Sequence, residues 1–294
     1  MSKTWFITGA TRGLGADIAA AALQAGDRVV ATGRQRAAVS DKLGPDSDRL
    51  LSLSLDVNDA AQAQAAVAAA VERFGGIDVL VNNAGYGYIG FFEESSPADI
   101  EAQFATNVFG LFNVTRAALP AMRAARRGHV FNLSSTAGIR GIAAGTLYCA
   151  TKFAVEGFSE SLAQELQPFG IHVTIVEPGG MRTDWAGPSM RIDEPSAPYQ
   201  ASVGAFVAGV RAHADASQSD PVKAARAILQ IAAQPTPPLR LLLGSDAVFL
   251  ASVVAATRAA EDARWKVLSL STDFDGAIDV AQTPIAKLLV AQRS

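Results

Sequence analysis

The sequence predicts an α/β protein with a doubly wound, mostly parallel seven-stranded sheet and helices on both faces of that sheet. Short runs of strand-forming residues alternate with Ala-rich amphipathic stretches, the pattern typical of repeated βαβ units. The 294 residues are 49% hydrophobic, which is enough to fill a sizeable core. We therefore expect a single domain over residues 1–250, with residues 251–294 as a C-terminal helical extension of the same domain.

Seven short runs are predicted to be the strands of this sheet. In chain order they are Thr4–Thr8, Arg28–Thr32, Leu50–Leu55, Val79–Asn82, His129–Leu133, His172–Glu177 and Leu239–Leu243. Glycine and proline mark the helix ends between them. The predicted helices are Leu14–Ala25 before Gly26, Ala60–Phe74 before Gly75, a helix opened by the capping sequence Ser96–Asp99, Leu147–Gln167 before Pro168, and a stretch near Asp246–Val267.

One segment breaks the alternation. Residues 179–200 are rich in Gly, Pro, Ser and Met, and they follow the carboxyl end of a predicted strand. Open α/β sheets bind ligands at that edge. We therefore predict a substrate lid over about residues 179–220.

Composition and charge exclude several classes of function. The net charge is −3 and no basic stripe is present, which argues against nucleic acid as a partner. Cys149 is the only cysteine, and His129, His172 and His213 are too far apart for zinc-ligand spacing, so we expect no disulfide and no metal in a reducing cytoplasm. The apolar stretch Ala247–Ala256 is shorter than the roughly 20 residues of a membrane span.

Residues Thr8–Gly15 form a glycine-rich turn between the first predicted strand and the first helix. Glycines there allow the backbone to approach a pyrophosphate, whose charge the helix amides meet, as in Rossmann-type sites. The spacing is G-x-x-x-G-x-G, and a plain tight turn is the alternative. The cofactor contacts assigned to this turn are Gly9, Thr11, Arg12, Gly13, Leu14 and Gly15.

The end of the second predicted strand carries basic residues and no acid. An acidic residue there would bind a ribose 2′-hydroxyl, whereas arginine accepts a 2′-phosphate. Arg12 and Arg34, with Arg36 in support, therefore favour NADP(H) over NAD(H). After the third strand, Asp56 contacts the adenine ring or, alternatively, caps the following helix, and Val57 is assigned to the same site.

Tyr148 and Lys152 lie four residues apart on a predicted helix, and therefore on one face. A charged Lys152 would lower the pKa of Tyr148 and make its hydroxyl a usable acid or base. Ser135 ends the fifth predicted strand, where its hydroxyl can hold a carbonyl oxygen. The alternative is a surface tyrosine beside a solvated lysine.

Together these residues resemble the short-chain dehydrogenase/reductase family over roughly residues 4–250. The family patterns T-G-x-x-x-G-x-G, N-N-A-G, a helix Asn, a Ser, Y-x-x-x-K and P-G occur in order. They are Thr8–Gly15, Asn82–Gly85, Asn107, Ser135, Tyr148 with Lys152, and Pro178–Gly179. The resemblance implies that Tyr148 is the acid/base, that Ser135 positions the carbonyl, that Lys152 tunes Tyr148 and binds the nicotinamide ribose, and that Asn107 holds a proton-relay water. It further implies that Asn83, Ala84, Gly85, Pro178, Gly179 and Thr183 contact the cofactor.

The run Val176–Trp185 resembles the 17β-hydroxysteroid and retinol dehydrogenase branch of that family. The implied activity is that of an NADPH-dependent carbonyl reductase, reversible as a secondary-alcohol dehydrogenase, on a hydrophobic ketone, aldehyde or alcohol. Tyr86 and Trp185 join Ser135 and Tyr148 as predicted substrate contacts. The resemblance also implies a homodimer or homotetramer built on helices at about 98–127 and 147–167. The alternatives are an NADP(H)-binding sensor without turnover and an NAD-dependent alcohol dehydrogenase.

Overall fold

The computed structural model describes residues 2–181, 190–194, 196–200, 204, 208–209 and 219–286. Nine strands lie in this part of the chain: β1 (Thr4–Ile7), β2 (Arg28–Gly33), β3 (Leu50–Ser54), β4 (Val79–Asn82), β5 (Gly87–Ile89), β6 (Gly128–Leu133), β7 (Ile171–Pro178), β8 (Met190–Ile192) and β9 (Arg240–Leu243). Nine α-helices accompany them in the described ranges: α1 (Gly13–Gln24), α2 (Arg36–Leu43), α3 (Ala60–Phe74), α4 (Pro97–Phe104), α5 (Gly110–Ala125), α6 (Thr146–Leu166), α7 (Ala197–Tyr199), α8 (Pro221–Ala232) and α9 (Ser245–Leu270).

Seven of the strands form one parallel sheet, in the order β3-β2-β1-β4-β6-β7-β9. This order reverses direction between β1 and β4, which is the doubly wound topology that places ligands at the carboxyl ends of the central strands. All seven predicted strands are present, and the predicted fold class is confirmed. β5 and β8 form a separate two-stranded parallel sheet that was not predicted.

Two apolar layers cover the sheet, because its strand side chains alternate between the two faces. Trp5 and Ile7 of β1 face one layer, which α1 and α8 complete, whereas Phe6 faces the other, which α3, α5 and α6 complete. All three side chains are at most 1% exposed. Strands buried on both faces explain the nearly continuous apolar runs in the sequence.

Local signals explain where the helices begin and end. The Asp59 carboxylate accepts the amides of Ala61 and Gln62 at the start of α3, and Ser96 with Asp99 forms a capping box at the start of α4. Gly75 ends α3 in the left-handed conformation, with φ 81°. The predicted helix at 98–127 is interrupted, because a π-helical turn over Ala105–Phe109 separates α4 from α5.

The chain divides into two compact units, Met1–Phe249 and Leu250–Ser294. The first unit contains the whole seven-stranded sheet. The second contains the remainder of α9 and a short 3-10 turn, Val280–Gln282. Membership of residues 251–294 in the same domain stays a prediction. Within the ranges that the structure describes, no helix is both long and apolar enough to cross a membrane.

Candidate active site

The glycine-rich turn leaves the amide end of α1 open. Gly9 and Gly13 have φ values of 67° and 53°, the left-handed region in which glycine is favoured. The N-cap residue is Arg12, whose side chain has no acceptor atom for the helix amides, and the first turn of α1 carries no acidic residue. Those amides and the helix dipole therefore suit an anionic group placed against the turn.

Asn83 holds the glycine turn against the end of β4. Its Nδ2 donates to the carbonyl oxygens of Thr8 at 2.9 Å and Gly9 at 3.1 Å. In return, the Thr8 hydroxyl accepts the amides of Asn83 and Ala84, both at 3.0 Å. A Cβ on Gly15 would lie 2.4 Å from Asn83 Nδ2, so only glycine fits there. The N-N-A-G segment thus shapes the turn, and a direct contact of Asn83, Ala84 and Gly85 with a cofactor stays a prediction.

The basic residues predicted to select the cofactor lie beside this turn. A Cβ on Gly33, the last residue of β2, would come 2.4 Å from Thr11 Cγ2, so the strand end and the turn are in direct contact. Arg34 follows at once and is exposed, as is Arg12. Arg36 is engaged elsewhere, since its Nη2 lies 2.7 Å from Asp46 Oδ2. Arg12 and Arg34 are thus both exposed beside the turn, and their role in selecting the cofactor stays a prediction.

Asp56 does not cap α3. The N-cap is Asp59, whereas Asp56 Oδ1 accepts the amide of Asn58 at 3.0 Å in the preceding turn. The capping alternative for Asp56 is therefore wrong, and the adenine contact stays a prediction. Val57 is buried, and a Cβ on Gly110 would lie 2.5 Å from its Cγ2. The contact positions the loop after β3 against the start of α5.

Tyr148, Ser135 and Lys152 come together at the carboxyl end of β6. Ser135 follows this strand, and its hydroxyl is hydrogen-bonded to the Tyr148 hydroxyl. Lys152, one turn along α6, is 7% exposed, and its Nζ lies 5.6 Å from the centre of the Tyr148 ring. The structure thus assembles the three predicted catalytic side chains, because α6 packs directly over the end of β6.

The expected lowering of the Tyr148 pKa by Lys152 is not present in this structure. Burial raises the pKa of Tyr148 above its usual value, and the hydrogen bond from Ser135 opposes that rise only in part. The Lys152 ammonium donates instead to the Leu133 carbonyl oxygen at 2.7 Å. Burial lowers the pKa of Lys152 to about 8, and the Glu156 carboxylate opposes this change. Tyr148 is therefore a neutral phenol at neutral pH.

Asn107 lies in the π-helical turn and is 2% exposed. Its Oδ1 accepts the amide of Tyr86 at 3.0 Å, and its Nδ2 donates to the Tyr86 carbonyl oxygen at 2.9 Å. The same Nδ2 reaches Thr151 Oγ1 at 3.2 Å on α6, between Tyr148 and Lys152. Asn107 therefore ties the loop after β4 to the catalytic helix, while its relay role stays a prediction.

Pro178 ends β7 at the same edge of the sheet, and Gly179 follows it. Gly179 donates its amide to the Leu243 carbonyl oxygen at 3.0 Å, and the Gly180 amide donates to Asp246 Oδ2 at 2.7 Å. A Cβ on Gly179 would meet the Asp246 carboxylate, so a larger residue here would require that side chain to move. The predicted contacts Thr183 and Trp185, with most of the predicted lid, lie outside the described residues.

Comparison with known proteins decides the family. Residues 3–192 match the model of the short chain dehydrogenase family. The chain belongs to this family. As a short chain dehydrogenase it is an oxidoreductase, and its glycine turn, open α1 amides and exposed arginines fit a nicotinamide dinucleotide cofactor. The 17β-hydroxysteroid and retinol branch is a finer assignment that the family match does not contain.

This short chain dehydrogenase is similar over nearly its whole length to a curated fungal protein and to a solved bacterial one. It is 44% identical to "Oxidoreductase BOA17" of Botryotinia fuckeliana over 92% of this chain and 100% of the relative. It is 40% identical to a short-chain dehydrogenase crystal structure from Streptomyces avermitilis, with a TM-score of 0.86, over 93% of this chain and 99% of that one.

A serine dehydrogenase solved in its closed form with NADP+ is 29% identical, with a TM-score of 0.69, over 82% of this chain and 94% of that one. Solved relatives carry NADP+ in some cases and NADH in others. The likeness therefore supports a nicotinamide cofactor, and the choice between the two forms depends on this chain's own residues.

Proposed function

We propose that the chain is an NADP(H)-dependent carbonyl reductase that also runs in reverse as a secondary-alcohol dehydrogenase. One observation carries the proposal: the buried side chains of Tyr148 and Lys152 lie together with Ser135 at the carboxyl edge of the sheet, the edge that also carries the glycine turn. A protein that only bound the dinucleotide would have no use for this tyrosine and serine pair.

The chain's own residues supply the proton and the orientation. Ser135 holds the carbonyl oxygen of the substrate, and Tyr148 donates its phenolic proton to that oxygen. The positive charge of Lys152 stabilises the tyrosinate that remains after the proton has left. The chemistry that NADPH would supply when bound is hydride transfer to the carbonyl carbon. In the oxidative direction the same tyrosinate takes the alcohol proton back.

Arg12 and Arg34 support NADP(H) as the form of the cofactor. Both are exposed beside the contact between Thr11 and Gly33, and the end of β2 carries no carboxylate that would repel a 2′-phosphate. Two guanidinium groups can bind that phosphate through charge-assisted hydrogen bonds. Pro178, Gly179 and Thr183 are proposed to complete the site at the nicotinamide end.

The surroundings of Tyr148 support a hydrophobic substrate. Ile142 packs both against the cluster of Ala137, Tyr148 and Cys149 and against a second cluster that includes Ile89 and Phe91. Apolar side chains thus flank the proposed proton donor on the side of β5. Tyr86, held by Asn107, is proposed as a substrate contact on the same side.

The experiment measures NADPH and NADH consumption with a panel of aliphatic, aromatic, alicyclic and steroid-like ketones and aldehydes. We expect turnover with NADPH and a bulky apolar ketone, and loss of that turnover in Ser135→Ala. Tight NADPH binding without turnover across the whole panel would contradict the proposal and favour a sensor. A preference for NADH would contradict the assignment of the cofactor alone.

A further inference from the structure

A second group of charged side chains lies directly behind the catalytic lysine. Lys152, Glu156 and Glu160 follow one another at intervals of four residues along α6, and therefore share one face of that helix. Glu177 reaches this face from β7, and Arg240 reaches it from β9. The side chains of Glu156 and Glu177 are only 9% and 3% exposed.

The carboxyl groups outnumber the cations among the described residues of this group, which comprise Glu156, Glu160 and Glu177 against Lys152 and Arg240. Arg240 Nε lies 3.3 Å from Glu156 Oε2 and 3.4 Å from Glu177 Oε1, and Arg240 Nη2 lies 3.2 Å from Glu160 Oε2. One guanidinium thus faces three carboxyl groups. Two buried carboxylates in contact cannot both ionise at low cost.

The hydrogen-bonding pattern also indicates that one of these carboxyl groups is protonated. Glu156 Oε1 and Glu177 Oε1 are buried without a hydrogen-bond partner among the described residues. The two carboxyl groups lie within hydrogen-bonding distance of each other. Two carboxylates are acceptors only, so a hydrogen bond between them requires a proton on one of the two.

Contacts with the end of β6 connect this pair to the active site. A Cβ on Gly138 would lie 2.4 Å from Ser134 Oγ and 3.0 Å from Glu156 Oε1, so this glycine lets the carboxyl group approach the strand end. The neighbouring Leu133 carbonyl oxygen accepts the hydrogen bond from Lys152 Nζ. The Glu156 carboxylate, in turn, favours the charged form of Lys152.

We propose that Glu156 and Glu177 share one proton, and that Glu156 acts through this pair as a positioning residue that keeps Lys152 charged beneath Tyr148. The effect of this pair on turnover rests on the proposed function, whereas its effect on the charge of Lys152 does not. Burial and Glu156 raise the pKa of Glu177 to about 7, and Arg240 opposes that rise. The charged groups facing the pair are Lys152 and Glu160 from α6 and Arg240 from β9.

The two glutamates have different roles, and replacing each with the isosteric glutamine distinguishes these roles. Glu156→Gln removes the negative charge beside Lys152, so the ammonium loses its counter-charge and its pKa falls. Glu177→Gln resembles the protonated carboxyl group, because the glutamine amide can still donate to Glu156, and Lys152 keeps its charge. Glu160→Gln removes an exposed partner of the same arginine and is the matched control.

The first test is a ¹³C NMR titration of lysine-labelled protein, with the Lys152 ε-carbon assigned by its absence in Lys152→Arg. We expect the midpoint in Glu156→Gln to lie about one pH unit below that of the wild type. The midpoints in Glu177→Gln and Glu160→Gln should stay close to the wild-type value. An unchanged midpoint in Glu156→Gln, or an equal shift in Glu177→Gln, would overturn the proposal.

The second test is infrared difference spectroscopy for the shared proton. At pH values below the Glu177 pKa of about 7, the wild type should show the carbonyl stretch of a buried protonated carboxyl group. Glu177→Gln should lose it and Glu160→Gln should keep it, whereas in Glu156→Gln it should appear only at lower pH, because the Glu156 charge no longer raises the pKa of Glu177. If the wild type lacked this absorption, the proposal that Glu156 and Glu177 share a proton would be contradicted. Neither readout needs turnover, so an enzyme inactive on every carbonyl would overturn the proposed function and leave these two results standing.

Discussion

At the scale of single residues, the chemistry depends on which proton each buried group keeps. Burial acts in opposite directions on the two central side chains, because it raises the pKa of Tyr148 and lowers that of Lys152. The phenol therefore stays protonated at neutral pH, and it needs the charge of Lys152 to stabilise the tyrosinate once its proton has left. That charge is lost as the pH rises through the Lys152 pKa of about 8.

The pH dependence of ketone reduction follows from these shifts. Lys152 loses its charge as the pH rises through its pKa of about 8, whereas Tyr148 stays protonated over the same range. We predict that kcat for reduction is highest below pH 8 and falls above it. A kcat profile at saturating NADPH measures this, with the NADPH Kd determined at each pH. A kcat that stays flat to about pH 10 would contradict the role of Lys152.

The choice of cofactor is a second property of single residues. Arg34→Asp places a carboxylate where we propose that the 2′-phosphate binds, so the ratio of kcat/KM for NADPH over NADH should fall by about tenfold or more. Arg36→Gln is the matched control, because Arg36 is paired with Asp46 and should leave the ratio unchanged. An unaltered ratio in Arg34→Asp would exclude Arg34 as the selector.

Some residue-level properties could be predicted from the sequence, and others could not. The positions of Tyr148, Lys152 and Ser135 follow from helix spacing and from a strand end, both of which are local. The bond from Lys152 to the Leu133 carbonyl oxygen and the burial of Glu177 depend on how α6 packs over β6 and β7. No local pattern carries that information, so the rise of the Tyr148 pKa on burial could not be predicted from helix spacing.

At the scale of elements, the junction between β1, α1 and the end of β4 forms the proposed cofactor site. Asn83 and Thr8 join the turn after β1 to the turn after β4 through four hydrogen bonds. Gly15 lies inside this junction, where a side chain would collide with Asn83. The shape of the turn therefore depends on both segments.

Two helical glycines allow a matched test of the junction. Gly15→Ala places a Cβ 2.4 Å from Asn83 Nδ2 and 2.5 Å from the Gly9 carbonyl oxygen, so the turn must shift. We predict a loss of NADPH affinity of about tenfold or more, measured by fluorescence titration. Gly157→Ala, in α6 with no atom within 4 Å, should retain the affinity and raise the unfolding free energy by about 0.5–1 kcal/mol. Equal NADPH affinities for the two variants would show that a side chain at residue 15 does not disturb the proposed cofactor site.

Strands and helices with a long enough pattern of apolar residues could be predicted from the sequence, whereas short or irregular elements could not. The seven strands of the main sheet begin and end within one residue of the predicted bounds, because most of them are buried on both faces and read as apolar runs. β5 and β8 have three residues each and pair only with each other across about a hundred residues, too short for a periodic signal. The π-turn at Ala105–Phe109 lies within a continuous helical pattern and is visible only through the contacts of Asn107 with Tyr86.

At the scale of the whole molecule, the proposed homodimer or homotetramer depends on apolar surface at the junction of α4 and α5 and on α6. Phe109 is 56% exposed and Phe153 is 41% exposed, a large apolar area for two side chains. Exposed aromatic residues on long helices are suited to association with a second copy, because burying them removes apolar area from water.

We predict that the purified protein sediments as a dimer or a larger oligomer at micromolar concentration. Replacing both Phe109 and Phe153 with arginine should shift the distribution toward monomer, as measured by analytical ultracentrifugation. Phe92→Arg is the control, because Phe92 is 60% exposed but lies on a short 3-10 turn outside these helices. A wild-type protein that sediments as a monomer throughout would refute the assembly, and the proposed chemistry would be unaffected.

The most direct test of Tyr148 as the proton donor is single-turnover reduction of a ketone by NADPH in the wild type and in Tyr148→Phe. The substitution removes only the hydroxyl that is hydrogen-bonded to Ser135 and leaves the ring in its buried site. We predict that the rate falls by about 100-fold or more, while the NADPH Kd stays within about twofold of the wild-type value. A variant that retained the wild-type rate with unchanged NADPH binding would show that Tyr148 is not the proton donor.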